Sequence, residues 1–351
     1  LFKENERILR QSTVLLDARL VPIPVNEDEI DITVIVQDVW PIVPEGSFSG
    51  FDNFGVGFTN QNVKGWTHSS QNLVRWRGAD TLQRLGFRSI YTVPYIKRSF
   101  VSGQAGFIWE RDLKQQFLKF ERPFVSVETR YAGAFEMGFK EIREYKKLTN
   151  NLDQTLIFPV QHAYLDLWGG RAFKLGKSEA NQTKRLVFAS RFYAYSYLKR
   201  PEVSADSNRA YWNETSVLFS AGFSNRNYQR DVLIFGFGRT EDVPVGSMIT
   251  GTLGQSKTEF GTRGYAGVRM SKGGYLNYRK GYLYGLVDMG SFLKAGEPHQ
   301  GVLNVSANYF TPLMRLGLSQ VRQFVNLRYT RGFNRDPLEY INLTDRYGIR
   351  G

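Results

Sequence analysis

From about residue 47 onward the chain repeats one pattern, short aromatic-rich runs in which apolar and polar residues alternate. A period of two marks an extended strand with chemically different faces, because successive side chains point to opposite sides. In 101–110, Val101, Gly103, Ala105, Phe107 and Trp109 share one face, opposite Ser102, Gln104 and Glu110. In 185–198, Leu186, Phe188, Phe192, Ala194 and Leu198 oppose Arg185, Arg191, Tyr193, Tyr195 and Tyr197. The same holds in 259–270, where Phe260, Ala266, Val268 and Met270 oppose Glu259, Arg263 and Arg269. In 302–310, Leu303, Val305 and Ala307 oppose Asn304, Ser306 and Asn308, and in 321–330, Val325, Leu327 and Tyr329 oppose Arg322, Asn326 and Arg328. Glycine punctuates these runs, and no amphipathic helical period interrupts them. The pattern predicts an all-β chain with about eleven to fourteen strands after residue 50, the span 112–143 holding two or three.

Two architectures fit such alternation. A soluble antiparallel sheet structure buries its apolar faces against one another. A transmembrane antiparallel β-barrel turns them outward and lines its interior with polar groups. Arginine, glutamate and asparagine recur together on the polar faces. Rings gather near strand ends, as in Tyr91 to Tyr95, Trp109, Tyr164 to Trp168, Tyr193 to Tyr197 and Tyr282 to Tyr284. Both features favour the barrel, and a mean hydropathy of -0.36 does not oppose it, since barrel spans are short and alternate. No run of apolar residues is long enough for a transmembrane helix.

The first 40 residues have a different texture. Phe2 to Arg10 read as a helix, followed by a strand that Pro22 and Pro24 interrupt. Ile30, Ile32, Val34 and Val36 then alternate with Asp31, Thr33 and Gln37 in a second strand. We therefore place the last part of a small α+β domain at 1–40 and the barrel at 46–351, with Trp40 to Pro44 between them. Leu1 and Gly351 read as cuts inside a longer protein, so that a barrel of about 16 strands would lack its last strands here.

The chemistry-bearing residues are sparse. The absence of cysteine excludes thiolate metal sites, disulfides and cysteine nucleophiles. His68, His162 and His299 are too scattered to propose a metal centre. Gly261 to Gly264 and Gly273–Gly274 lack the spacing of phosphate-binding loops. Asp166, Glu136 and Glu128 are candidate paired carboxylates, but nothing in their spacing enforces a catalytic separation, and no nucleophile elbow occurs. The expectation is a protein that is not an enzyme and has no cofactor or metal. The net charge of +13 permits contact with acidic partners. However, the basic stretches at Arg75 to Arg77 and Arg84 to Arg88 lack the interleaved aromatics of a nucleic-acid surface, and no nucleic-acid partner is expected.

At the end of the chain, Gly348-Ile349-Arg350-Gly351 resembles the start of the (V/I)-R-G-(F/Y) motif of BamA-like outer-membrane proteins. The fourth, aromatic position of that motif would follow Gly351. Phe2 to Arg10, Asp17-Ala18-Arg19 and Asp31 to Asp38 resemble the helix and last strand of a POTRA domain, and Tyr91 to Ile96 resembles an early barrel-strand segment. The wording is most similar to Bacteroidetes-type, Gram-negative members of this bacterial surface-antigen superfamily. The resemblance implies an outer-membrane location and a role in inserting or translocating other outer-membrane proteins through a weak strand seam. Implied partners are outer-membrane lipids, unfolded outer-membrane protein clients and periplasmic or lipoprotein partners. It further implies that Arg350 anchors a loop folded into the barrel. The seam strand would carry Phe51, Gly55, Gly57 and Phe58, its glycines loosening the pairing. An accessory relative moving lipid or protein, a passive porin-like channel and a barrel enzyme remain as alternatives.

Overall fold

The computed structural model describes residues 2–97, 99–126, 128–148, 151–176, 183–236, 239–277 and 280–335. After the helix α1 (Phe2–Arg10) comes a hairpin of β1 (Leu15–Pro24) and β2 (Ile30–Asp38). A meander follows, through β3 (Ile42–Phe48), β4 (Asn53–Val63), β5 (His68–Arg77), β6 (Leu85–Val93), β7 (Ser102–Trp109) and β8 (Leu113–Arg122). It continues through β9 (Tyr131–Leu148), β10 (Asn151–Lys174), β11 (Lys184–Lys199), β12 (Glu214–Val232), β13 (Thr240–Thr258) and β14 (Gly261–Asn277). The last strands are β15 (Gly281–Lys294), β16 (Glu297–Phe310), a small hairpin of β17 (Met314–Leu316) and β18 (Ser319–Val321), and β19 (Phe324–Phe333).

From β3 to β16 each strand pairs antiparallel with the next, and β19 adds to β16, giving one sheet of 15 strands. The span 112–143 holds parts of two strands, β8 and β9. Alternation produces two unlike faces. One carries exposed apolar side chains such as Phe107, Leu118, Met137, Leu167, Phe219 and Leu253. The other carries the polar and charged side chains, bonded to one another across the strands.

The sheet does not close. Among the described residues β3 and β19 are its two ends, each paired on one side only. This corrects the expected transmembrane barrel of about 16 strands to a large open antiparallel sheet. The difference is physical: a barrel needs a hydrogen-bonded seam, and hydrocarbon offers no partner for the row of N–H and C=O groups on an open edge. Alternation within strands is the same in either case, so it could not distinguish them.

The expected POTRA-like domain is corrected as well. β1 and β2 form a separate two-stranded sheet, and β2 is exposed along its whole length. A lone hairpin without a buried face does not stand as an independent domain. Only Ala18 in it is a buried apolar residue. α1 instead docks on the large sheet through charges. Arg10 forms a bidentate pair with Asp242 of β13 at 2.7–3.0 Å and donates to the Ala18 carbonyl at 3.1 Å. Glu6 pairs with Arg230 of β12 and accepts from the Leu20 N–H at 2.9 Å. Arg7 donates to the Val125 carbonyl and lies over the Tyr228 ring, its Cζ 4.3 Å from the centroid. Ile234, Val243, Tyr282 and Phe310 form a small apolar cluster that holds the connection after β12 against the ends of β15 and β16.

Candidate ligand-binding site

Strand register sets a row of polar side chains across the middle of the sheet. Lys119, Glu136, Asp166, Tyr193, Ser216, Ser256 and Arg263 stand opposite one another in turn from β8 to β14. One step along the strands, Tyr164, Tyr195 and Glu214 form a neighbouring row. These groups are held in fixed positions. Tyr164 Oη accepts from Gln115 at 3.1 Å and donates to Glu136 at 3.0 Å. Arg191 grips Asp166 through both carboxylate oxygens.

Glu214 is the hub of the row. Its Oε1 accepts from Tyr193 Oη at 2.8 Å, Ser216 Oγ at 2.9 Å and Ser256 Oγ at 2.7 Å, and both serines are fully buried. Arg263 approaches its Oε2 at 3.3 Å. A carboxylate with this many donors is held rigidly in place. Burial pushes the phenols of Tyr164, Tyr193 and Tyr197 up to about 12, with Glu136 adding to the rise at Tyr164 and Glu214 at Tyr193. All three therefore stay protonated, and act as hydroxyl donors, at any physiological pH.

Beside this hub lies a cavity of about 300 Å³. Arg209, Arg263 and Arg335 line it together with Glu214, and Tyr195 and Phe292 supply apolar walls. Each arginine is positioned by the fold. Arg209 opens the short 3-10 turn Arg209–Tyr211 between β11 and β12, where Nη1 meets His299 Nε2 at 2.8 Å and Asp206 lies 3.7 Å from Nη2 on the exposed side. Arg263 lies flat on Phe292, its Cζ 3.6 Å from the ring centroid, and donates to Gln300 Oε1. Arg335 follows β19 and reaches the Gln300 carbonyl at 3.5 Å. Three guanidinium groups and the Glu214 carboxylate thus line one aromatic-walled hollow.

Further along, the His162 ring is buried among Tyr164, Tyr195 and Tyr197, with centroids at 5.3–6.2 Å. Burial lowers its pKa, and Lys140 lowers it further. The neutral ring is thus the form the fold accepts. Stability is complete above the unfolded value of about 6.5 and is lost as pH falls below it through the lower folded value. Thermal unfolding midpoints should accordingly drop below about pH 6.5. A His162→Gln protein should lose much of that drop, and an unchanged slope would show that another group is responsible.

The residues anticipated from sequence fall in several places. Glu136 and Asp166 do meet, directly opposite across β9 and β10, but each is engaged by its own donor, Tyr164 or Arg191. Glu128 stands apart and pairs with Lys174. The rings Tyr193 to Tyr197 do not all belong to a strand-end girdle: Tyr193, Tyr195 and Tyr197 point to the polar face. Phe51 lies in the turn before β4, and Gly55, Gly57 and Phe58 lie within it. β4 is paired on both sides, with β3 and β5, so the end strand is β3. A Cβ on Gly57 would run into the Asn72 carbonyl and Leu73, so this glycine permits close pairing instead of loosening it. Gly348, Ile349, Arg350 and Gly351 lie outside the described residues. Among the described residues, no three His, Asp or Glu side chains gather in a way that could hold a metal. Sequence reasoning did not single out Arg209, Glu214, Gln300 or Arg335, which come together only through strand pairing.

Comparison with protein families and with curated proteins finds no match to this chain. The resemblance to BamA-like proteins is therefore corrected: it rested on short motifs, and neither a matching family nor a closed barrel supports it. With it go the expected outer-membrane location and the insertion or translocation role. The accessory transport and porin-like alternatives and the lipid, client and lipoprotein partners go too. Each of these depended on a closed wall with a seam, and among the described residues the open sheet has none.

Proposed function

We propose that this protein is a binding protein, and that its polar sheet face captures a small anionic ligand without transforming it. The observation that carries this reading is the cavity lined by the guanidinium groups of Arg209, Arg263 and Arg335 beside Tyr195 and Phe292. Guanidinium forks suit carboxylate or phosphate oxygens, and charge-assisted bonds of this kind are stronger than neutral ones. Tyr195 and Phe292 provide ring faces for an apolar or CH-rich surface of the same ligand. The non-catalytic part rests on the commitment of nearby groups. Glu214 is saturated with donors, Asp166 is clasped by Arg191, and the tyrosines remain protonated.

Calorimetric titration with glucuronate, inorganic phosphate and glucose tests the proposal. An anion should bind and glucose should not, and comparing the two anions tells whether the site takes a carboxylate or a phosphate. Arg209→Gln and Arg263→Gln should each weaken the bound anion by about 10- to 100-fold, the range for losing a charge-assisted bond. The recovered ligand should be chemically unchanged by NMR. Binding that ignores charge, or survives both substitutions, overturns the proposal.

A further inference from the structure

We infer that a second site lies beneath α1, and that it takes a small amphipathic anion, a carboxylate or phosphate head group on an apolar body. A hollow of about 250 Å³ opens there on the polar face, and it shares no lining residue with the arginine cavity. Its floor is formed by β11, β12 and β13, where Ala189, Ser220, Gly222 and Ser224 are too small to fill the space under the helix. Its roof is α1 and the connection that follows β8. Arg7 of the helix donates to the Val125 carbonyl, and Arg185 of the floor donates from Nη1 to the Ser126 carbonyl at 3.0 Å. Helix, connection and sheet are thereby joined around the hollow.

Two cations lining it lack a counter-charge. Arg185 stands opposite Ser224, and Arg226 follows two residues further along the same face of β12. Diagonal neighbours of this kind are rooted about 7 Å apart, so both forks can reach one oxyanion. Neither side chain forms an ion pair among the described residues, and Arg185 Nε is buried without a hydrogen-bond partner there. Glu4 is the single carboxylate of the lining, and Arg7 already holds both of its oxygens, at 3.0 and 2.6 Å. Burial first, then Arg226 and Arg7, lower the pKa of Arg185 against the opposing pull of Tyr228 and Glu4. A cation so placed gains from an arriving negative charge. The walls set the rest of the ligand, because Phe124, Val187, Ala189 and Met248 offer apolar surface beside the two guanidinium groups. A bare inorganic ion would leave those walls uncovered, and a neutral apolar molecule would cover the cations without pairing them.

Calorimetric titration of the intact chain with 3-phenylpropionate, phenyl phosphate, 3-phenylpropan-1-ol and acetate tests this. One of the two aromatic anions should bind about tenfold or more tighter than either the alcohol or acetate, and the tighter of them identifies the head group. The Arg226 side chain makes no hydrogen bond or ion pair among the described residues, so Arg226→Gln should leave the thermal midpoint where it is. It should weaken the aromatic anion by about tenfold or more. Ala189→Leu, which fills the hollow from its floor, should abolish binding. Binding should persist in Arg263→Gln, which disables the arginine cavity instead. Equal affinity for the acid and the alcohol, or full affinity in Arg226→Gln, overturns the site. Loss in Arg263→Gln with retention in Arg226→Gln would place the anion in the arginine cavity and overturn it too. No binding of either aromatic anion has the same consequence, and leaves the glucuronate and phosphate result at the arginine cavity to stand by itself.

Discussion

Gly246→Ala should destabilise the protein by about 3 kcal/mol or more, among the largest losses available from adding one methyl group. Gly246 sits in β13 opposite Arg226 of β12 and Gly273 of β14, where pairing with β14 begins. Its φ of +123° lies in a region that side chains with a Cβ rarely adopt. An added Cβ would also collide with the backbone carbonyl of Asn225 and crowd Arg226 Cα at 3.2 Å. Both neighbours are main chain held in the ladder, so neither can swing aside as a flexible side chain could. Gly251 in the same strand provides the control, because nothing lies within 4 Å of a Cβ placed there. Gly251→Ala should change stability by about 0.5 kcal/mol or less, or improve it. Urea unfolding of the two variants, followed by tryptophan fluorescence, reads the difference. Equal midpoints would show that the β12–β13 ladder relaxes around the new methyl group.

Strand location was largely legible because it depends on local alternation. The run at 185–198 corresponds to β11 (Lys184–Lys199), and the run at 302–310 lies within β16 (Glu297–Phe310). The run at 321–330 is broken at Arg322 and Gln323, since Arg322 turns away to hold Asp231 at 3.1 Å and the Val232 carbonyl at 2.9 Å. That partner lies 91 residues away and leaves no local signal. Closure was not legible for a related reason. It depends only on whether the end strands meet, while alternation reports on strands one at a time.

The candidate site divides in the same way. The side of the strand on which Arg191, Tyr193, Tyr195 and Tyr197 fall could be read from period two alone. Their partners could not. Glu214, Ser256, Arg263 and Gln300 come from four further strands and Arg335 from the segment after β19, and strand register decides that they converge. Nor did charge counting reveal the cavity. A surplus of cations over the whole chain says nothing about three of them lining one hollow.

Arg10→Met should cost about 3 kcal/mol or more and free α1 from the sheet, because it strands a carboxylate in a partly buried place. The Arg10 side chain is 3% exposed and that of Asp242 15%. The guanidinium makes three contacts with the carboxylate, Nε to Oδ2 at 3.0 Å and Nη2 to Oδ1 and Oδ2 at 2.7 and 2.9 Å, and a fourth bond to the Ala18 carbonyl. Methionine keeps much of the apolar stem and removes the donors, so lost packing is a minor part of the effect. Arg10→Lys should rescue little, since an ammonium cannot reproduce the bidentate fork. Asp242→Leu alone should also destabilise, by leaving the buried cation without its partner. Together, Arg10→Met and Asp242→Leu should cost less than the sum of the two, because neither charge is then abandoned. A double-mutant cycle by urea unfolding should give a coupling of about 1.5 kcal/mol or more. A paired cysteine at each position, oxidised only when α1 is docked, would report the helix directly. Additive single effects would mean that Glu6–Arg230 and the Arg7 contacts hold α1 without this pair.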